Sequence, residues 1–273
     1  MIDLYAVIGN PISQTKSPFI HGLYAKACGQ DISYTALEGP LGGFTSAVEA
    51  FRAAGGRGMN VTVPFKMDAC AYATALSERA RLAGAVNALK FEGDQVLGEN
   101  FDGIGLVRDV THNLGFALRG KRVLVLGAGG AVRGALLPFI HEQPASLTIA
   151  NRTPSKAVAL AAEVASHAQV NGCSYEALAG QSYDLVFNAT SASLRGELPP
   201  VPATAFAPGC LAHELAYGKG LTPFLRFAQA SGAGHLADGV GMLAEQAAEA
   251  FEWWRGTRPD TQGVIAQLTV PLV

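Results

Sequence analysis

The chain has 273 residues, nearly half of them apolar and 15% charged, with a formal net charge of −2, a length that favours two domains at roughly 100–200 residues each. The near-neutral charge, with no basic run longer than Lys121-Arg122, provides little counter-charge for a nucleic-acid backbone, so small-molecule partners are expected, and no stretch approaches the roughly 20 apolar residues of a membrane span. With an early acid at Asp3 and no basic segment ahead of an apolar one, no secretion signal is expected, and Cys28, Cys70, Cys173 and Cys210 are too scattered to suggest a zinc site or redox pair, so a reduced cytoplasm is expected.

In chain order, short apolar runs alternate with helical patterns. Leu4–Ile8 precedes a helix over Pro18–Ala27, Tyr34–Leu37 a helix over Phe44–Ala54, and Gly58–Val63 a helical region after Pro64. This is the rhythm of βαβ units. Val86–Phe91 and Gln95–Gly98, separated by Glu92-Gly93-Asp94, read as a hairpin added to the otherwise parallel sheet. A second series follows, with strands at Val123–Leu126, Ser146–Ala150, Leu185–Asn188 and Leu211–Leu215 and helices at Val132–Ile140 and Ser155–Ala165. An open parallel sheet with helices on both faces is expected there. Residues from Ser191 to Pro208 read as a loop rich in Pro and Ala, and Met242–Phe251 as an apolar helix interrupted only at Gly256.

The apolar run ending at Leu126 leads into Gly127-Ala128-Gly129-Gly130-Ala131. Glycines between a strand and a helix let backbone N–H groups approach a pyrophosphate at the helix N-terminus. The third glycine of the usual pattern is replaced by Val132, and a purely structural tight turn is the competing reading. At the end of the next strand, where NAD enzymes place an acid, the chain has Asn151-Arg152-Thr153, with Lys156 one turn on. A guanidinium, a hydroxyl and an ammonium suit the 2′-phosphate of NADP, although Thr153-Pro154 also makes a good helix start. In the first half, Asn60, Thr62 and Lys66 alternate along a strand and just past Pro64, and Asn87 and Asn100-Phe101-Asp102 lie at the ends of later elements. A lone lysine is usually a surface residue. This one has polar company.

The chain resembles the shikimate dehydrogenases nearly end to end. The matching blocks are Gly9-Asn10-Pro11-Ile12 with Lys16-Ser17-Pro18, Asn60–Lys66, Ala83–Asn87, Asp102-Gly103, Gly127–Ala131 with Arg133, Asn151-Arg152-Thr153, Asn188-Ala189-Thr190, Thr222–Leu225, and Asp238-Gly239 with Gly241-Met242-Leu243. The resemblance implies an α/β enzyme of two domains. Residues 1–102 with 239–273 would bind substrate, residues 103–238 would form a Rossmann-type NADP domain, and a C-terminal helix would return to the substrate domain. It implies reversible NADPH-dependent reduction of 3-dehydroshikimate to shikimate without a metal, by a monomer or homodimer. Lys66 and Asp102 then match the catalytic pair, with Lys66 donating a proton to the carbonyl oxygen and Asp102 aiming the ammonium. Asn60, Thr62, Asn87 and Gln246 match residues around the ring hydroxyls, and Thr15, Ser17 and Tyr217 the carboxylate contacts. Ser17-Pro18 also fits a plain helix cap, a role compatible with holding an anion. Thr190, Leu215 and Gly239 join the cofactor set.

Four departures from the family pattern stand out. Thr15 replaces a serine. Phe101 replaces the threonine beside the catalytic aspartate, and it either turns away or narrows the substrate pocket, so it joins the substrate set. Glu214-Leu215 replaces Asp-Met, and Ser193-Leu194-Arg195 replaces a glycine-containing loop. A related dehydrogenase acting on quinate or an amino-shikimate, and a non-catalytic regulator that binds NADP and a ring acid, are the alternatives.

Overall fold

The computed structural model describes residues 2–272, in two compact units. One runs to Gly105 and takes back Ala244–Val264; the other holds Leu106–Leu243 and the tail from Ile265. These divisions fall a few residues beyond the expected 102/103 and 238/239. The tail departs further from expectation, because Leu272 packs on the core of the second unit and the Pro271 carbonyl lies beside Gly220.

The first unit contains β1 (Asp3–Gly9), α1 (Ser17–Ala27), β2 (Ile32–Glu38), α2 (Phe44–Ala53), β3 (Gly56–Val61), α3 (Lys66–Tyr72), β4 (Ala75–Leu76), α4 (Glu78–Ala83), β5 (Ala88–Glu92), β6 (Gln95–Glu99) and the start of α5 (Asp102–Arg108). Its sheet has the order β2-β1-β3-β5-β6-β4, and only β5 runs against the others. Tyr5, Ala6, Val7 and Ile8 are all buried, as a parallel strand covered on both faces requires. The expected hairpin is β5–β6, closed at the Glu92–Gln95 pair by Gly93-Asp94, with Gly93 at φ 59°. Ala6, Ile8, Val48, Met59, Phe65 and Leu89 form part of the core.

The last residues of α5 open the second unit, and a π-helical turn over Asp109–Asn113 follows them. Then come β7 (Arg122–Leu126), α6 (Gly130–His141), β8 (Ser146–Ala150), α7 (Pro154–Glu163), β9 (Val170–Cys173), β10 (Tyr183–Asn188), β11 (Phe206–Glu214), α8 (Pro223–Ala230) and β12 (His235–Ala237). The sheet order β12-β11-β10-β7-β8-β9 is parallel throughout. The chain starts at the centre, runs out to one edge and returns to fill the other side. The order therefore reverses between β7 and β10, where ligands of doubly wound sheets bind. β11 begins earlier than expected because Pro208-Gly209, which reads as loop, is absorbed as an irregularity. Tyr183 pairs with Phe206, and the register resumes at Leu185–Leu211. Last in the chain are α9 (Val240–Arg255) and α10 (Gln262–Leu268). Among the described residues no helix is long and apolar enough to cross a membrane, and the four cysteines are free.

Candidate active site

In the first unit, several polar side chains converge where β3 and β6 end and β5 begins. β3 stops at Val61, and a turn in which Phe65 N–H donates to the Thr62 carbonyl (3.0 Å) starts α3 at Lys66. Lys66 Nζ lies 2.5 Å from Asp102 Oδ2, with side chains 28% and 16% exposed, so the pair is sheltered but reachable. Asn87 Nδ2 donates to Asp102 Oδ1 (2.8 Å) and to Gln246 Oε1 (3.4 Å), while Asn87 Oδ1 accepts from Phe101 N–H (2.9 Å). Asn87 thereby fixes both the carboxylate and the chain that carries it. Asn60 Nδ2 donates to the Asn87 carbonyl (3.3 Å), and Asn60 Oδ1 accepts from the Tyr34 hydroxyl (2.6 Å). Thr15 Oγ1 and Ser17 Oγ are 3.2 Å apart. Thr62 N–H donates to the Ile8 carbonyl (2.9 Å), which aligns its residue with the end of β1.

Thus Lys66, Asp102, Asn87, Asn60 and Gln246 are joined by hydrogen bonds in the first unit, which also holds the Thr15/Ser17 pair. Tyr217 belongs to the second unit, on the segment after β11. Ser17 does not cap α1. The cap position is Lys16, without a side-chain bond, so the Ser17 hydroxyl is not spent on the helix.

Of the two orientations open to Phe101, the ring takes the one that turns away, so its side chain leaves the expected substrate set. It is 4% exposed, packed with Ala88, Ala250 and Ile104, edge-on to Trp253 at 5.6 Å and under the Arg79 guanidinium. The polar edge of this strand end is exposed to the site and the apolar ring turns toward α9. Glu99, Ser77 and Arg79, which the sequence reading did not single out, support this arrangement together with Asn100. Glu99 accepts from Ser77 (2.5 Å), Arg79 (2.8 Å) and Asn100 N–H (2.7 Å), and Asn100 Oδ1 accepts from Asp102 N–H (3.1 Å). The only sequence signal for them is an acid at the end of a strand. Tyr34 was equally hidden, because a tyrosine in β2 reads as an ordinary strand residue.

In the second unit, a pocket of about 390 Å³ opens at the switch point, lined by Gly127, Ala128, Gly129, Asn151, Arg152 and Thr190 from the expected cofactor set. Gly127 sits at φ 111°, and a Cβ there would lie 3.1 Å from the Ala189 carbonyl, so the turn accepts only glycine without strain. The 12-residue α6 begins beyond Gly129 without a side-chain cap, leaving its first N–H groups for a ligand. A pyrophosphate and a 2′-phosphate fit this donor set. Gly130 and Ala131 start α6 behind the turn, and neither they nor Thr153, Lys156, Leu215 or Gly239 line the pocket. Thr153 holds the cap position of α7, but its side chain caps nothing; its carbonyl accepts from Asn151 Nδ2 (2.9 Å). Gly239 approaches the backbone of Leu215, where a Cβ would fall 2.2 Å from the carbonyl oxygen.

Although Arg195 stands out in the sequence as a departure from the family loop, the remaining wall is absent from the expected cofactor set. It comes from Tyr175 and from the segment after β10, including Ser191, Arg195, Glu197 and Pro199. A fully buried carboxylate, Glu214, organises this segment. It accepts from Asn188 Nδ2 (2.9 Å), Thr222 Oγ1 (3.3 Å), Ala216 N–H (3.3 Å) and Ser193, while Asn188 Oδ1 accepts from Thr190 Oγ1 (2.7 Å). Burial raises the pKa of Glu214, and the hydrogen bonds from Ser193 and Asn188 pull it back.

Comparison with known proteins agrees with this geometry. Three family models match: a shikimate dehydrogenase substrate binding domain over residues 7–89, a shikimate/quinate 5-dehydrogenase over 109–195, and a shikimate 5′-dehydrogenase C-terminal domain over 239–269. The shikimate dehydrogenase (NADP(+)) of Nitrosospira multiformis is 57% identical over 268 residues, 98% of each chain. Among solved structures, an Ael1 enzyme from Pseudomonas putida matches with TM-score 0.96 and 60% identity, over 99% of this chain and 100% of that one. A shikimate 5-dehydrogenase from Thermus thermophilus in complex with NADP(H) and shikimate matches with TM-score 0.86 and 33% identity, over 97% and 98%. The chain belongs to the shikimate dehydrogenase family.

Proposed function

We propose that the protein interconverts 3-dehydroshikimate and shikimate with NADP(H), the first unit holding the ring acid and the second the cofactor. The cofactor supplies the hydride. As charge builds on the substrate oxygen, Lys66 Nζ donates its proton there, and in the oxidative direction it takes the proton back. Asp102 Oδ2, 2.5 Å away, holds the ammonium, and Asn87 holds the other carboxylate oxygen. Such positioned acid–base catalysis is worth about 10²–10⁴-fold. Asn60, Thr62, Asn87 and Gln246 take the ring hydroxyls, Thr15, Ser17 and Tyr217 the carboxylate. The Gly127–Ala131 turn takes the pyrophosphate, Asn151, Arg152, Thr153 and Lys156 the adenosine phosphate end, and Thr190, Leu215 and Gly239 the remainder of the cofactor.

The observation that carries this reading is the continuous chain Lys66–Asp102–Asn87–Gln246, which joins a proton donor to groups able to bind hydroxyls. The free cysteines suit a reducing compartment, and we place the enzyme in the cytoplasm as a monomer or homodimer. The test is nicotinamide absorbance with shikimate and with quinate, each paired with NADP⁺ and NAD⁺. Fastest turnover with shikimate and NADP⁺ is expected. Turnover with quinate alone would move the protein to a neighbouring substrate, and intact cofactor binding without turnover would favour a non-catalytic binder.

A further inference from the structure

The switch-point pocket carries a second guanidinium that the reading above leaves unused. Arg195 ends the short helical turn after β10 and lines the same pocket as Arg152 at the end of β8. Its Nη1 donates to Ser191 Oγ (2.8 Å) and its Nη2 to Glu197 Oε2 (2.7 Å), and both partners line the pocket too. The two side chains of the ion pair are 51% and 55% exposed, so the pair is wet and accessible. Hydrogen bonding from Arg195 holds the Glu197 carboxyl below its ordinary pKa, and the charge of Arg152 contributes in the same direction. One carboxylate therefore lies in the field of two guanidiniums that come from different strand ends.

We propose that the Arg195–Glu197 pair is exchangeable: the 2′-phosphate of NADP displaces Glu197 from Arg195 and is held between Arg195 and Arg152. This rests on the NADP reading above and adds to it a residue absent from the expected cofactor set. Exchange favours the phosphate on simple grounds. A water-exposed carboxylate–guanidinium pair is weak. A phosphate monoester near neutral pH carries a charge of about −1.5 to −2 and three strong acceptor oxygens, enough to engage two planar forks at once. A ribose hydroxyl has neither the charge nor the acceptors, so with NAD the carboxylate stays in place. Glu197 thus works against NAD as Arg195 works for NADP.

Calorimetric binding of adenosine 2′,5′-bisphosphate and of ADP to the full chain tests this without relying on turnover. Wild type should prefer the bisphosphate. Arg195→Ala should weaken the bisphosphate by about tenfold, the loss of one charge-assisted contact, and change ADP by less than about twofold. Glu197→Gln should tighten the bisphosphate several-fold by removing its competitor. If wild type prefers the bisphosphate and Arg195→Ala keeps that preference, or weakens both ligands alike, the exchange is overturned while the NADP reading stands. If wild type holds ADP as tightly as the bisphosphate, both are overturned.

Discussion

His21 is fully buried in α1, stacked 4.2 Å from the Tyr34 ring, and neither ring nitrogen has a hydrogen-bond partner among the described residues. Burial drives its pKa down to about 3, and the opposing influence of the Asn60 side chain does not offset it. The imidazole is therefore neutral in the folded protein, whereas the unfolded chain takes up a proton below the ordinary value of 6.5. Between those limits the unfolded state binds more protons, so stability falls as pH falls, by up to about 1.4 kcal/mol per pH unit. Urea unfolding from pH 7 to pH 4 should show that slope, and His21→Phe should flatten it; parallel slopes would mean that His21 is not the group responsible. Phe101 gives a prediction of a different kind. With its ring in the apolar cluster beside α9, Phe101→Thr should cost about 3–5 kcal/mol, the range for losing a buried phenyl group. Calorimetry should record a lower Tm, and the Michaelis constant for shikimate should not improve. An improved constant would place the ring in the substrate's way after all.

Among the elements, α5 and α9 meet at Gly105 and Gln246. A Cβ on Gly105 would stand 2.7 Å from the Gln246 backbone nitrogen, so glycine alone permits this approach. Gly105→Ala should force the helices apart where Gln246 reaches Asn87, cost about 1–3 kcal/mol as overpacking does, and raise the Michaelis constant for shikimate several-fold. A variant with unchanged kinetics would detach Gln246 from the site. The elements also show what was legible beforehand. Long apolar runs such as Val123–Leu126 and Tyr5–Ile8 announced their strands. β9 did not, because Val170-Asn171-Gly172-Cys173 is polar and broken by a glycine; Gly172 is there since the backbone of Ala157 passes 2.5 Å from where its Cβ would be. The three-residue β12 and two-residue β4 are too short to carry a period. α8 was readable in principle, since Thr222 caps it through Leu225 N–H (3.3 Å) and Pro223 starts it.

For the molecule as a whole, the order of parts was visible because the glycine turn stands so far along the chain, with a complete βαβ series ahead of it. Most of the polar residues of the first-unit site were visible through their motifs. What supports them was not: Tyr34, Glu99 and Arg79 act through contacts between residues distant in sequence, and Arg195 and Glu197 lie in a loop whose proline-rich composition has no period. The direction of a side chain was hidden for the same reason. Phe101 sits beside Asp102 in sequence, and its ring packs into an apolar cluster instead. The central claim is that Lys66, aimed by Asp102, handles the proton. Its most direct test is steady-state oxidation of shikimate with NADP⁺ by Lys66→Met, compared with wild type at saturating substrate. Turnover should fall by at least about 100-fold, the share of a positioned acid–base group, with the Michaelis constant changed only a few-fold. Turnover near that of wild type would contradict the account.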